Sequence, residues 1–146
     1  MPVFGEWVFT CDRQATVDAY ARAERGQSGI CACNGCRNWV CVRDRVYSRA
    51  FLAFLDSVGI DPHKDGEVYH TGPLAPGEHH YGGWFHFVGS LERTGDFPMV
   101  QMGPGFEVSL CRKCAPELAS LKGLPLVQVE FQATKVPWGL AEAEPE

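Results

Sequence analysis

No stretch of this 146-residue chain approaches the roughly 18 consecutive apolar residues of a membrane-spanning helix. Its opening, MPVFGEWVFTCDR, lacks the basic region and long apolar run of a targeting segment. The expectation is therefore a cytoplasmic protein away from membranes. Basic residues are also in deficit: 13 Lys and Arg stand against 18 Asp and Glu, a formal net charge of −5. That balance disfavours a nucleic-acid partner. Catalytic signatures are missing too. There is no Ser/His/Asp order, no phosphate-cradling glycine loop and no metalloprotease helix motif. Asp56, Asp61 and Asp65 gather round a turn without the spacing of a Ca²⁺ loop. The cysteine count is odd, seven, which argues against a complete internal disulfide framework. In a reducing compartment so many thiols point to a metal or to several buried free cysteines.

What is present suits one domain with a real core that needs no metal to fold. Hydrophobic residues make up 45% and aromatics 12% of the chain. Val3–Phe9 reads as a buried strand. Thr10 is placed to cap a helix that Gly26 stops. Gln27–Gly35 is a cysteine-bearing loop, and Arg37–Tyr47 a second helix. Ser48 caps a third, RAFLAFLDSV, closed by Gly59. Glu67–His70, YGGWFHFVGSLE, Phe106–Leu110 and Leu126–Phe131 read as strands. A short helix is expected after Cys114, up to Gly123. Parallel βαβ repetition is absent. The pattern predicts an α+β fold: a mostly antiparallel sheet of about five strands with an N-terminal helical segment on one face. Residues 1–140 form the single domain and 141–146, AEAEPE, an acidic disordered tail.

The sharpest chemistry lies in the cysteines. Cys31, Cys33 and Cys36 crowd into ICACNGCRNW, Cys41 follows, and Cys111 and Cys114 return in CRKCAPEL. Two residues between thiolates let both sulfurs reach one ion while the turn's N–H groups donate to them, and Gly35 offers φ freedom for so tight a turn. CRKC has the same spacing and runs toward a predicted helix, whose dipole favours thiolate. A knuckle early and a CxxC at a helix start late resemble a treble-clef zinc site, which implies Cys33, Cys36, Cys111 and Cys114 as ligands of a structural Zn²⁺. About 74 residues separate the pairs, against ~15–20 in the compact double-knuckle pattern. Cys31 competes as a ligand, with Cys11, Cys41 or a histidine as a possible fourth. Arg37 and Asn38 are placed for hydrogen bonds around the cysteines, for anchoring an anion, or for capping and surface solvation.

The second notable run is Tyr81-Gly82-Gly83-Trp84-Phe85-His86-Phe87. Its double glycine permits a bulge or a close backbone approach. Trp84 and His86 share one face and Phe85 and Phe87 the other. With Tyr81 and Arg37 they make a candidate small-ligand pocket. His79, His80 and His86 are candidate acid–base groups or metal ligands. The plainer alternative is a central strand packed on both faces around a satisfied His86.

Taken together, CxCxxCRNW, GIDPxK, YGGWFHFVG and VEFxxxxVPW resemble a family of small uncharacterised bacterial proteins, over Cys31 to Trp138. The resemblance implies a bacterial, single-domain, cytoplasmic setting and no particular reaction. The residues favour a non-enzymatic, zinc-stabilised binding module for a protein or small molecule. Two alternatives stand beside it. One is a ligand binder or metal-dependent hydrolase built on Tyr81, Trp84 and His86; the other is a thiol redox sensor using Cys111 and Cys114.

Overall fold

Gly5 decides how the chain begins. At φ +57° it turns the backbone back on itself, so the single strand expected over Val3–Phe9 is instead a hairpin of β1 (Val3–Phe4) and β2 (Trp7–Cys11). The computed structural model describes residues 2–93, 95–112, 116 and 118–145. Among these, four helices follow β2: α1 (Arg13–Arg22), α2 (Gln27–Ile30), α3 (Asn34–Val46) and α4 (Arg49–Val58). Then come β3 (Glu67–Ala75), β4 (Glu78–Arg93), β5 (Val100–Gly103), β6 (Phe106–Cys111), a 3₁₀ turn at Ala119–Leu121 and β7 (Leu126–Val136). No described helix is long and apolar enough to cross a membrane.

The fold is α+β and its strand pairings are antiparallel. The sheet has seven strands rather than about five, in the order β1-β2-β4-β7-β6-β5, with β3 also on β4. The two extra strands are the split hairpin and β5, which pairs with β6. Helix ends follow local chemistry. Asp12, not Thr10, caps α1, accepting the Ala15 N–H at 3.0 Å. Thr10 is occupied by Ser90 across the sheet. The helix stops at Arg22, short of Gly26. Ser48 caps α4 through the Phe51 N–H, and Gly59 closes it at φ +85°.

β4 is long enough to carry two partners in tandem along one edge. β3 pairs with its first half and β2 with its end. Between them a few rungs have no strand, and α1 supplies the partners. The Tyr20 hydroxyl accepts the His86 N–H at 3.1 Å and donates to the His86 carbonyl at 2.9 Å. Thr16 Oγ1 accepts the Val88 N–H at 2.9 Å, and the Asp12 N–H donates to the Val88 carbonyl at 2.8 Å. Backbone polar groups in a buried gap must be satisfied. Here two side chains of α1 and the backbone of its N-cap do what a missing strand would do.

The helical face of the sheet is aromatic. Phe131 stacks on Trp39 (centroids 5.4 Å, 14°) and on Phe106 (5.6 Å, 7°), with Phe51 and Phe85 alongside. Gly82 and Gly83 are close approaches, not a bulge, because the register runs through them unbroken on both sides. A Cβ on Gly83 would lie 2.4 Å from the Glu67 carbonyl. After β7 the chain returns to α3. Buried Asn38 donates to the Pro137 carbonyl at 3.0 Å and accepts the Gly139 N–H at 2.7 Å. The acidic end, expected to fray over 141–146, has partners: Glu142 pairs with Arg37, and Glu144 accepts from the Gly77 N–H at 2.9 Å.

Candidate metal centre

Cys33 sits at the N-cap of α3, and its Sγ accepts the Cys36 N–H at 3.3 Å. That is the turn expected from the CxxC spacing, with sulfur as the capping atom. Cys31 lies just before it, and the sulfurs of Cys31 and Cys33 are 3.2 Å apart. Cys31, Cys33 and Cys36 together place three sulfurs within 4.8 Å of one another, so they can hold a metal ion. No other such group of His, Cys, Asp or Glu occurs among the described residues. Around a tetrahedral zinc with ~2.3 Å bonds, sulfurs stand roughly 3.8 Å apart. The trio, with one pair at 3.2 Å and all three within 4.8 Å, brackets that spacing.

The sulfurs influence one another. Cys31 is held below the usual thiol range, first by the backbone N–H of Cys33 and then by the neighbouring thiols. Cys36, half-buried, is pushed well up by burial and then by the hydrogen bonds and charge of the other two. Burial pushes the Tyr81 phenol up to about 12, against the Asn38 hydrogen bond, and charge on Cys36 and Cys33 adds to the rise. A cation at the trio relieves such repulsion, which is why clustered thiolates take metals.

Two anchors set the segment in place. Asp65 is fully buried and accepts from the Ser28 N–H at 3.0 Å and the Ser28 hydroxyl at 2.5 Å, fixing α2. Gly26 lets the backbones meet, since a Cβ there would lie 2.3 Å from the Asp65 nitrogen. On the other side the Tyr81 hydroxyl donates to the Gly35 carbonyl at 2.7 Å. Gly35 itself lies inside α3 and does not use a left-handed φ, contrary to the expected reason for a glycine here. Its role is proximity: a Cβ would lie 3.1 Å from His70 Cβ and 3.2 Å from the ring Nδ1.

Beside the trio is a cavity of about 470 Å³, with Glu67, His70 and Tyr81 across from the cysteines. His70 was not singled out by sequence. It pairs with Tyr81 in the sheet, and their rings stack at 4.6 Å. Its Nε2 is 2.8 Å from His79 Nδ1, and His79 Nε2 is 2.5 Å from Glu144 Oε1. Burial, then the neighbouring His79 and His80, hold His70 below the ordinary imidazole value.

The other expected site residues are dispersed. Cys111 lies on β6 with its Sγ 3.5 Å from Glu130, and two strands separate β6 from β3. Strand spacing alone makes that roughly 14 Å, so Cys111 does not join Cys33 and Cys36. Cys114 itself falls outside the described residues. Cys11 points to the Val58 carbonyl, and Cys41 to that of Gly139. Arg37 turns to the Ala32 carbonyl and Glu142, away from the cavity. The pocket expected from Tyr81, Trp84 and His86 is divided by strand alternation. Tyr81 faces α3, whereas Trp84 lies near Tyr69, and His86, fully buried, bonds Gln128 at 2.9 Å. His79 and His80 have both ring nitrogens engaged, His80 with Thr71 and Gln132. Comparisons with protein-family models, curated proteins and solved structures find no match to this chain.

Proposed function

We propose that this chain is a zinc-stabilised binding module in which Cys31, Cys33 and Cys36 hold the ion. The convergence of three sulfurs at the start of one helix carries the reading. Thiolates select a soft or borderline ion, and zinc prefers tetrahedral sulfur and nitrogen sites. Bound there, the metal fixes the α2–α3 segment against β3 and forms one wall of the cavity. A partner's side chain or a small ligand docks in that cavity. Three sulfurs beside an open cavity make binding the role the site supports best.

The cavity beside the trio also favours a second reading, hydrolysis by water in the fourth position of the metal. Metal analysis of the full chain, purified without added zinc, tests the shared premise. About one zinc per chain is expected. Cys31→Ser, Cys33→Ser and Cys36→Ser together abolish it, while Cys111→Ser leaves it in place. Metal below about a tenth of an equivalent in the wild type, or equal loss in Cys111→Ser, would sink the proposal.

A further inference from the structure

The three-sulfur reading leaves one coordination position to be named, and hydrogen-bond direction points to its occupant. Glu144 Oε1 accepts at 2.5 Å from His79 Nε2, so the His79 proton sits on Nε2. With one proton on each ring, His79 Nδ1 accepts. The group it faces at 2.8 Å is His70 Nε2, which therefore carries the proton of its own ring. That leaves His70 Nδ1 as a lone pair, and it has no hydrogen-bond partner among the described residues. Nδ1 is also the atom turned to the cysteine turn: a Cβ on Gly35, next to Cys36, would lie 3.2 Å from it.

We infer that His70 is the fourth metal ligand, binding through Nδ1, and that His79 and Glu144 are positioning residues that hold its tautomer. The inference rests on the three-cysteine reading and completes a Cys₃His set, a frequent closed zinc site. The arrangement His70–His79–Glu144 lengthens by one imidazole the carboxylate–histidine–metal chain that orients ligands in such sites. His70 lies outside the 4.8 Å span of the sulfur trio, so the ring moves toward the sulfurs when the ion binds. Its surroundings permit this. β3 is an edge strand, its register shifts between His70 and Gly72, and Gly72 at φ +126° has open space around it. A bulge of this kind re-aims a side chain at low cost.

Cobalt(II) loaded into the full chain reads the site directly. The wild type shows thiolate-to-cobalt charge transfer with tetrahedral visible bands, and added imidazole changes neither. In His70→Ala the charge transfer persists, the visible bands move, and imidazole now binds. Zinc affinity falls in His70→Ala, and by about 10- to 100-fold in Glu144→Gln. The side-chain nitrogen spectrum of the zinc-loaded wild type shows His70 protonated at Nε2 only, a signature that weakens in Glu144→Gln. Visible bands and affinity unchanged in His70→Ala, imidazole binding equally to both proteins, or a proton on His70 Nδ1 would each overturn the assignment while leaving the cysteines as ligands. Loss of charge transfer in the wild type would instead remove the three-cysteine reading and this inference with it. Circular dichroism of both variants distinguishes lost ligation from lost fold.

Discussion

Tyr20→Phe removes a single oxygen from a buried position and tests how α1 closes the gap along β4. That oxygen serves the His86 N–H at 3.1 Å and the His86 carbonyl at 2.9 Å. The ring of Tyr20 is 2% exposed, so water does not reach the vacated position without opening the interface. A buried group left without its partner costs about 1–3 kcal/mol. The carbonyl, with two lone pairs, sits at the low end of that range. The phenylalanine ring fills nearly the same volume, so no large cavity penalty is added. The expected loss is about 2–4 kcal/mol, a large share of the ~5–15 kcal/mol typical of a domain. At ~2–4 °C per kcal/mol for a chain of this size, the melting midpoint drops by roughly 5–15 °C. Urea unfolding gives the free energy, and hydrogen exchange at the His86 amide reports the local opening. Tyr69→Phe is the control: its hydroxyl meets Gln132 on the exposed side, and the change stays within about 0.5 kcal/mol. If Tyr20→Phe matches that control, with an unchanged urea slope and unchanged exchange at His86, the helix hydroxyl does not close the gap.

Two further outcomes follow from buried polar groups. Burial holds His86 below the ordinary imidazole value, against the Gln128 hydrogen bond and the charge of Glu130. As pH falls through about 6.5 the unfolded chain takes its proton first. His86 therefore contributes its full stability above that pH and loses it toward the lower folded value. The urea midpoint should decline between about pH 7 and 5.5, less steeply in His86→Gln; parallel declines in the two proteins would contradict this. Asp65→Ala leaves the Ser28 N–H and hydroxyl without their acceptor and removes the carboxylate 3.9 Å from Arg43. Unfolding free energy should drop by about 2–4 kcal/mol, with weaker zinc binding measured by chelator competition, because α2 carries the chain into Cys31. Stability and metal affinity both at wild-type values would show that Asp65 does not anchor that segment.

Much of the architecture was legible where local chemistry decides. Ser48 and Gly59 bracket α4 as caps should, and the aromatic run over Tyr81–Val88 lies within the longest strand. The Cys33–Cys36 turn was readable because two-residue spacing and helix capping act over a few bonds. Elements decided by distant partners were not. Val100–Gly103 has no clear alternation and becomes a strand because Phe106–Cys111 offers it an edge. Thr10 and Asp12 are both good caps, and only Ser90 across the sheet separates their roles. Choosing Cys31 over Cys111 as the partner of the CxxC turn required knowing that β4 and β7 lie between. His70 carried one faint signal: it shares strand parity with buried Val68, on the side where α3 packs. Its link to Glu144, through His79, spans about half of the chain, and no local pattern encodes it.

The position of β7 has a consequence for how the protein is made. Among the described strands, β7 is synthesised after the other six, yet it stands at the middle of the sheet, between β4 and β6. Until it arrives, the aromatic edge of β4 faces solvent and the β5–β6 hairpin has nothing to join. Such unpaired edges are where nascent chains stick to one another. A ribosome stalled before Leu126 therefore holds two half-sheets rather than a smaller version of the fold. Glu144 emerges later than β7, so the chain of groups behind His70 is completed only after every described strand has been made.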